Sequence, residues 1–263
     1  MVGGRGVRLR PFTSTIPKPL VPIGGECPIL EVLLRQLRHD GFERVTLSIG
    51  HLGHLIRSYV GDGSRFGLDV DYWEDEGAPL GTMGPLVAHA GELPEHTLVL
   101  NGDLLCDLDF ARLVEAHLDS GTNLTVAACR RETRVEFGVL EVDGAVLREF
   151  REKPSVEYRV NMGVYVVTTA ALREFTPGHP LGADDLIRRH LDSGRPVNVY
   201  DFDGYWLDIG RPEDYDRANA EFEVLRPHLL RERESVVIQL SDRSQPTGGE
   251  RFPEPALRAG AAS

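Results

Sequence analysis

Thr97-Leu98-Val99-Leu100-Asn101-Gly102-Asp103 is a short apolar run that ends in a carboxylate. Its length and composition suit a buried strand, and an acid at the carboxyl end of such a strand stands where open α/β sheets bind their ligands. Further runs of the same kind recur at Val45–Ile49, Leu124–Ala128, Val164–Val167 and Val197–Tyr200. Between them Ile29–Leu37, Phe110–Leu118 and Asp184–Leu191 place apolar residues at helical spacing. This alternation predicts an α/β chain, a mixed, mostly parallel sheet flanked by helices. Gly138–Leu147 reads differently: Asp143-Gly144 between two apolar stretches predicts a β-hairpin with a tight turn, expected to belong to a lid or small subdomain. A helix is expected to start at Arg211-Pro212-Glu213-Asp214, with proline in its first turn and acids at its positive end, and to run to Leu230. Val236–Leu240 reads as a short strand, and Ser241–Ser263, rich in Gly, Pro, Ser and Ala, as a mobile tail. The expected division is one domain over 1–230 and a largely flexible extension over 231–263.

Bulk properties narrow the function. A chain of 263 residues with 41% hydrophobic content can bury a sizeable core. It contains no apolar run of the roughly 18 residues a membrane span needs and no stretch of signal-peptide type, so the expectation is a cytoplasmic protein with no membrane partner. Cys27, Cys106 and Cys129 are odd in number and widely spaced, which argues against a disulfide framework or a zinc knuckle and for buried thiols. A net charge of −12 argues against a nucleic acid partner, since a phosphate backbone needs a broad cationic surface. It leaves room for a small phosphorylated ligand. The local charge points that way: Arg5, Arg8, Arg10 and Lys18 precede the first acid, Glu26. Of the 29 basic residues only Lys18 and Lys153 are lysine. A compact ammonium and a planar guanidinium are not interchangeable at a tight phosphate site, so in a chain this biased toward arginine the two lysines mark places where chemistry is expected.

Gly3-Gly4-Arg5-Gly6-Val7-Arg8-Leu9-Arg10-Pro11, followed by Pro17-Lys18-Pro19-Leu20, is glycine-rich where backbone must approach something closely. Successive amides in such a loop can line a concavity that binds phosphate oxygens. No Lys-Ser or Lys-Thr follows the last glycine, and the dinucleotide-binding spacing of glycines is missing, so neither a Walker loop nor a nicotinamide site is indicated. Asp208, between Leu207 and Ile209 and behind Trp206, is a charge in an apolar setting that demands a partner or a cation. Two carboxylates from distant parts of the chain, Asp103 and Asp208, suit Mg²⁺.

The glycine loop with Pro17-Lys18-Pro19 resembles the signature of the sugar-1-phosphate nucleotidyltransferases, the nucleoside-diphosphate-sugar pyrophosphorylases. Leu80-Gly81-Thr82-Met83-Gly84-Pro85-Leu86 resembles the base-recognition loop of that family, and Asn101-Gly102-Asp103 its metal-binding strand end. Phe137-Gly138-Val139, Glu152-Lys153-Pro154 and Asn161-Met162-Gly163 are similar to its sugar and sugar-phosphate contacts, and Trp206-Leu207-Asp208-Ile209-Gly210 to its second metal site. The similarity covers residues 2–222 in the expected order, and within it the form of the base loop and of Leu100–Asp107 leans toward mannose-1-phosphate guanylyltransferases.

The resemblance implies a Rossmann-like nucleotide-diphospho-sugar transferase fold with a small β-rich sugar-binding lid. It implies Arg8, Lys18, Asp103, Lys153 and Asp208 as the catalytic set, with Mg²⁺ on Asp103 and Asp208. Gly3, Gly4, Gly6, Gly81 and Thr82 would bind the nucleotide, and Gly138, Glu152 and Asn161 the sugar. The implied partners are a nucleoside triphosphate, GTP ahead of dTTP, and a sugar 1-phosphate or a sugar-like cyclitol phosphate; whether the chain forms a homo-oligomer stays open. Thymidylyl transfer to glucose 1-phosphate and a non-catalytic, nucleotide-sugar-binding regulatory subunit are the alternatives.

The chain departs from the pattern at Val7, Met83 and Phe137, where family members commonly carry Thr, Ala and Tyr, and Met83 is expected to add bulk beside the base loop. Family members also begin with an apolar strand central to the sheet, whereas Met1-Val2 leads straight into Gly3. The slot of that strand is therefore expected to be only partly filled, or, as we favour, Met1 is internal to a strand that starts upstream. His51 and His54, one helical turn apart with no acidic or cysteine partner nearby, are expected to be surface or packing residues.

Overall fold

A computed structural model describes residues 1–4, 6–74 and 78–231. The expected strand at Val236–Leu240, the tail beyond it, Arg5 and the acidic residues Asp75 and Glu76 lie outside the described residues.

The chain opens with Met1–Gly3 and the glycine loop, then a small antiparallel ladder, β1 (Pro22–Ile23) with β2 (Cys27–Pro28), before helix α1 (Ile29–His39). Next come β3 (Arg44–Ile49), α2 (Gly53–Val60), β4 (Asp69–Glu74), α3 (Gly84–Ala88), β5 (His96–Leu100) and β6 (Leu104–Cys106). They are followed by α4 (Phe110–Ser120), β7 (Leu124–Arg134), the hairpin β8 (Val139–Asp143) and β9 (Val146–Arg151), and the long β10 (Ser155–Thr168). The remaining elements are α5 (Thr169–Leu172), α6 (Ala183–Asp192), β11 (Asn198–Phe202), β12 (Trp206–Asp208) and α7 (Pro212–Leu229).

The main sheet has the order β11-β7-β10-β5. β11 runs parallel to β7, and β10 lies antiparallel between β7 and β5, so three of these four strands share one direction. β3 and β4 form a second, parallel pair. Met1–Gly3 lies between the two ladders. Val2 N–H donates to Ser48 (3.0 Å) and His51 N–H to Gly3 (3.3 Å), while the Met1 ammonium donates to Leu100 and Gly102 N–H to Met1, both at 2.8 Å. The two bonds of Met1 follow the stagger of parallel pairing, and the four together link the ends of β3 and β5. Behind Met1 the facing edges of β3 and β5 border an open cleft of about 1080 Å³ lined by Leu33, Leu34, Leu37, Val45, Leu47 and Leu98 among others.

Alternation along the strands sends side chains to two cores. Leu124, Val126, Tyr165 and Val167 pack under α3, α5 and α6, whereas Ala127, Cys129, Val164 and Val166 pack against Leu33 and Leu37 of α1 and Phe110 and Leu113 of α4. Helix ends follow local chemistry. Asp109 accepts from Arg112 N–H (3.0 Å) at the start of α4, and Gly121 takes a left-handed φ of 62° at its end. All three cysteines are buried and unpaired. Among the described residues no helix is long and apolar enough to cross a membrane.

Two expectations change in detail. β7 and β10 run well past the predicted Leu124–Ala128 and Val164–Val167, because their distal halves pair with each other away from the core, from Ser155↔Arg134 to Asn161↔Ala128. Met83, expected to add bulk beside the base loop, is fully buried in one cluster with Leu86, Val99 and Leu181, so its bulk goes into the core behind that loop.

Candidate active site

The carboxyl-terminal ends of the parallel strands share one edge of the sheet, and several of the expected site side chains collect there. β5 delivers Asn101-Gly102-Asp103 at its end. β12, paired antiparallel with β6 through Asp208↔Leu104, brings Asp208 to the same place. Lys18 leaves the turn after Pro17 and points between them: its Nζ lies 2.6 Å from Asp103 Oδ2 and 3.6 Å from Asp208 Oδ1. Only 8% of the Lys18 side chain is exposed, against 45% of Asp208, so the ammonium is enclosed and one carboxylate still faces the solvent. A hollow of about 250 Å³ opens beside this cluster, lined by Gly4, Gly6, Arg8, Lys18, Asp103 and Gly210.

Local sequence explains the geometry. Gly6 sits at φ 58°, and any side chain on it would press on Thr13 and Lys18. Thr13, itself buried, donates through Oγ1 to the Gly6 carbonyl (2.7 Å) and fixes the loop before the short turn Val7–Leu9. Gly3 packs against Gly50, where a Cβ would approach backbone to 3.2 Å, whereas Gly4 faces open space. Arg8 is exposed and its guanidinium lies against Gly210. Behind Asp208 the corner into α7 is pinned by Asp214, whose carboxylate accepts from Gly210 N–H (3.1 Å) and Arg211 N–H (2.8 Å). Burial pushes the Asp208 carboxyl above the ordinary carboxylate range; neighbouring Asp103 adds to this, while Lys18 and Arg8 oppose it.

Asn161 stands on β10 just before the bulge that precedes Tyr165. Its Oδ1 accepts from Gly163 N–H (2.9 Å) and its Nδ2 donates to the Tyr165 hydroxyl (2.8 Å), so both ends of the amide are oriented from within the fold. Gly163, at φ 74°, lies against Asn101, which ties this segment to the end of β5. Gly81, at φ 77°, backs onto Leu181, and Met83 N–H and Leu181 N–H fasten the 80–84 turn to the segment ahead of α6 (both 2.9 Å). Thr82 is half-buried in that turn.

Gly138, Glu152 and Lys153 group on the exposed hairpin, where a side chain on Gly138 would touch Phe150 and Glu152. Lys153 takes φ 43°, an uncommon conformation for a side-chain-bearing residue. Among the described residues no hydrogen bond or ion pair connects Gly81, Thr82, Gly138, Glu152 or Lys153 to the Lys18–Asp103–Asp208 cluster. The structure thus brings together Lys18, Asp103, Asp208, Arg8 and the loop glycines, and leaves the base-loop and hairpin residues as separate groups. Of the residues that brace the site, Asp214 was legible only as an acid at the start of a helix, Thr13 only as the end of the glycine-loop motif, and Tyr165 carries no signal in the sequence beyond its place in an apolar run. His51 and His54 are exposed, as expected.

Among the described residues no group of three or more His, Cys, Asp and Glu could hold a metal ion unaided. Two hard oxygen donors beside an open hollow do fit Mg²⁺, which takes one or two carboxylates and completes its shell with water and substrate phosphates.

The nucleotidyl transferase family model matches residues 1–224. The chain is 33% identical over 258 residues to a UTP–glucose-1-phosphate uridylyltransferase of Synechocystis, covering 90% of this chain and 64% of that protein. It is 31% identical over 229 residues to a mannose-1-phosphate guanylyltransferase of Mycobacterium tuberculosis, covering 84% of this chain and 63% of that protein. The chain therefore spans a little under two thirds of the length of these curated relatives. Among solved structures it is similar to HddC from Yersinia pseudotuberculosis, with a TM-score of 0.65 and 27% identity over 84% of this chain and 96% of that one. The same protein complexed with GMP-PN matches at 26% identity and a TM-score of 0.65.

Proposed function

The chain belongs to the nucleotidyl transferase family, and on that footing we propose that it transfers a nucleoside monophosphate from a nucleoside triphosphate to a sugar 1-phosphate, giving a nucleotide sugar and pyrophosphate. A phosphate oxygen of the sugar 1-phosphate attacks the α-phosphorus of the triphosphate in line. The new P–O bond forms as the bond to the leaving pyrophosphate breaks, and no residue of the protein is nucleotidylated. Both reactants are anions, so the protein's task is neutralisation and alignment.

Arg8 and Lys18 offset the charge that builds on the pyrophosphate, from the hollow beside the glycine loop. Lys153 holds the phosphate of the sugar, Gly138, Glu152 and Asn161 its hydroxyls, and the turn at Gly81 and Thr82 the base. Asp103 and Asp208 would hold Mg²⁺, which would supply positive charge to offset that of the phosphates. The observation that carries this reading is the convergence of two carboxylates from remote segments on the Lys18 ammonium, at 2.6 and 3.6 Å.

The base we favour is guanine, on the form of the 80–86 loop, on the mannose-1-phosphate guanylyltransferase of M. tuberculosis and on HddC complexed with GMP-PN; dTTP comes next. The test is pyrophosphate release with ATP, CTP, GTP, UTP and dTTP, each against mannose 1-phosphate, glucose 1-phosphate and a cyclitol phosphate, with and without Mg²⁺. Turnover that needs Mg²⁺ and is fastest with GTP is expected. Silence across the whole matrix would remove the activity, and fastest turnover with another base would replace the guanylyl reading alone.

A further inference from the structure

β12 is three residues long and among the described residues pairs only with β6, yet it carries Asp208. So short a strand needs a lateral brace, and Arg131 on β7 reaches across from the main sheet to supply one. Its Nη2 donates to the Trp206 carbonyl (2.9 Å), and the guanidinium carbon lies 5.1 Å from the centroid of the Trp206 ring. Its Nη1 donates to Cys129 Sγ (2.9 Å) and to the Arg130 carbonyl (3.1 Å). The indole is fixed from its other side by Nε1 donating to the Met162 carbonyl on β10 (3.0 Å). Trp206 is thus held at its carbonyl, its ring face and its nitrogen, two residues before Asp208 and on the same side of the strand.

The partners of Arg131 set it apart from its neighbours. Arg130 lies 3.8 Å from both Asp201 and Asp203, and Arg159 forks onto Asp201 at 2.5 and 2.8 Å, as surface arginines do. No acid lies within ion-pairing distance of Arg131 among the described residues; it engages two carbonyls, a thiol and an aromatic face. A planar guanidinium can do all of this at once, and a lysine ammonium cannot.

We propose that Arg131 is a positioning residue for the metal-binding carboxylate of Asp208, acting through the clamped Trp206 and the three-residue strand β12. The proposal rests on the reading of Asp103 and Asp208 as the metal pair, and its test separates the two. Mn²⁺ alone serves as the probe, with the electron paramagnetic resonance signal of free Mn²⁺ as the readout, so turnover is not required. Arg131→Ala is expected to weaken Mn²⁺ binding about tenfold, the lower end of what the loss of an outer-shell partner costs a metal site. Arg131→Lys keeps the charge but loses the fork, and is expected to fall between the alanine variant and the unmodified protein. Asp208→Asn is expected to lose the binding altogether. If Asp208→Asn abolishes binding while both Arg131 variants match the unmodified protein, the positioning role is overturned and the metal pair stands. If Asp208→Asn binds Mn²⁺ as tightly as the unmodified protein, the metal reading and the positioning role fall together.

Discussion

Asp208 carries a charge that its surroundings resist. Burial raises its affinity for a proton, Asp103 adds to the effect, and Lys18 and Arg8 relieve only part of it. An acid whose folded value lies above the ordinary 3.8 binds its proton more tightly in the folded chain than in the unfolded one. Its ionisation therefore subtracts from stability at neutral pH, and the deficit disappears as pH falls through the raised value toward 3.8. Asp208→Asn should then raise Tm at pH 7 in metal-free buffer while abolishing pyrophosphate release, and the gain in Tm should vanish near pH 4. A lower Tm for the variant at pH 7 would show that the carboxylate stabilises the fold. Lys18, Asp103 and Asp208 were legible in the sequence because each stands out locally: one of two lysines, an acid closing an apolar run, and an acid between two apolar residues. Arg131 was not, since among so many arginines nothing marks the one whose partners are uncharged. Met83 misled because a motif position says nothing about which way a turn points its side chain.

At the scale of elements, the seam between α4 and the sheet contains a buried titratable chain. His117 on α4 is fully enclosed, with Nδ1 2.8 Å from Thr125 Oγ1 on β7 and Nε2 3.1 Å from His96 Nδ1 on β5. Burial holds its proton affinity below the ordinary 6.5, and the adjacent His96 lowers it further. A histidine depressed in the fold contributes stability that is present above pH 6.5 and is lost as pH falls through the folded value. Tm followed by circular dichroism should drop between pH 7.5 and 5.5, and His117→Gln should flatten that slope. Equal slopes for the two proteins would place the acid sensitivity elsewhere.

The sequence located the centres of the long core strands, the hairpin and helices α1, α4, α6 and α7; it passed over short elements such as α2, α3, α5, β6 and β12 and missed the extents of β7 and β10. The outer half of β10 exposes Val156 and Tyr158 and that of β7 is the polar run Arg130–Arg134, so the run of buried residues by which a strand is recognised stops before the pairing does. The hairpin was legible for a different reason, because Asp143-Gly144 dictates a turn whatever the flanking burial.

At the scale of the whole molecule, the β3–β4 pair and the four-stranded sheet meet through Met1–Gly3, beside a cleft of about 1080 Å³. Val2 is 2% exposed, packs with Leu30, Leu47 and Ile56, and lies against Gly102. Val2→Ala removes packing at that junction and should cost about 2 kcal/mol, with the amides of β3 and β4 exchanging ahead of those of β7 and β10 in hydrogen-exchange measurements. Uniform exchange across both ladders would show that they open as one unit.

The residues that stitch the ladders together run without a break into the loop that carries Arg8. A defect planted at Val2, walled off from solvent, should therefore surface as a looser grip on the triphosphate: a higher KM for the nucleotide in a protein whose charged groups are all intact.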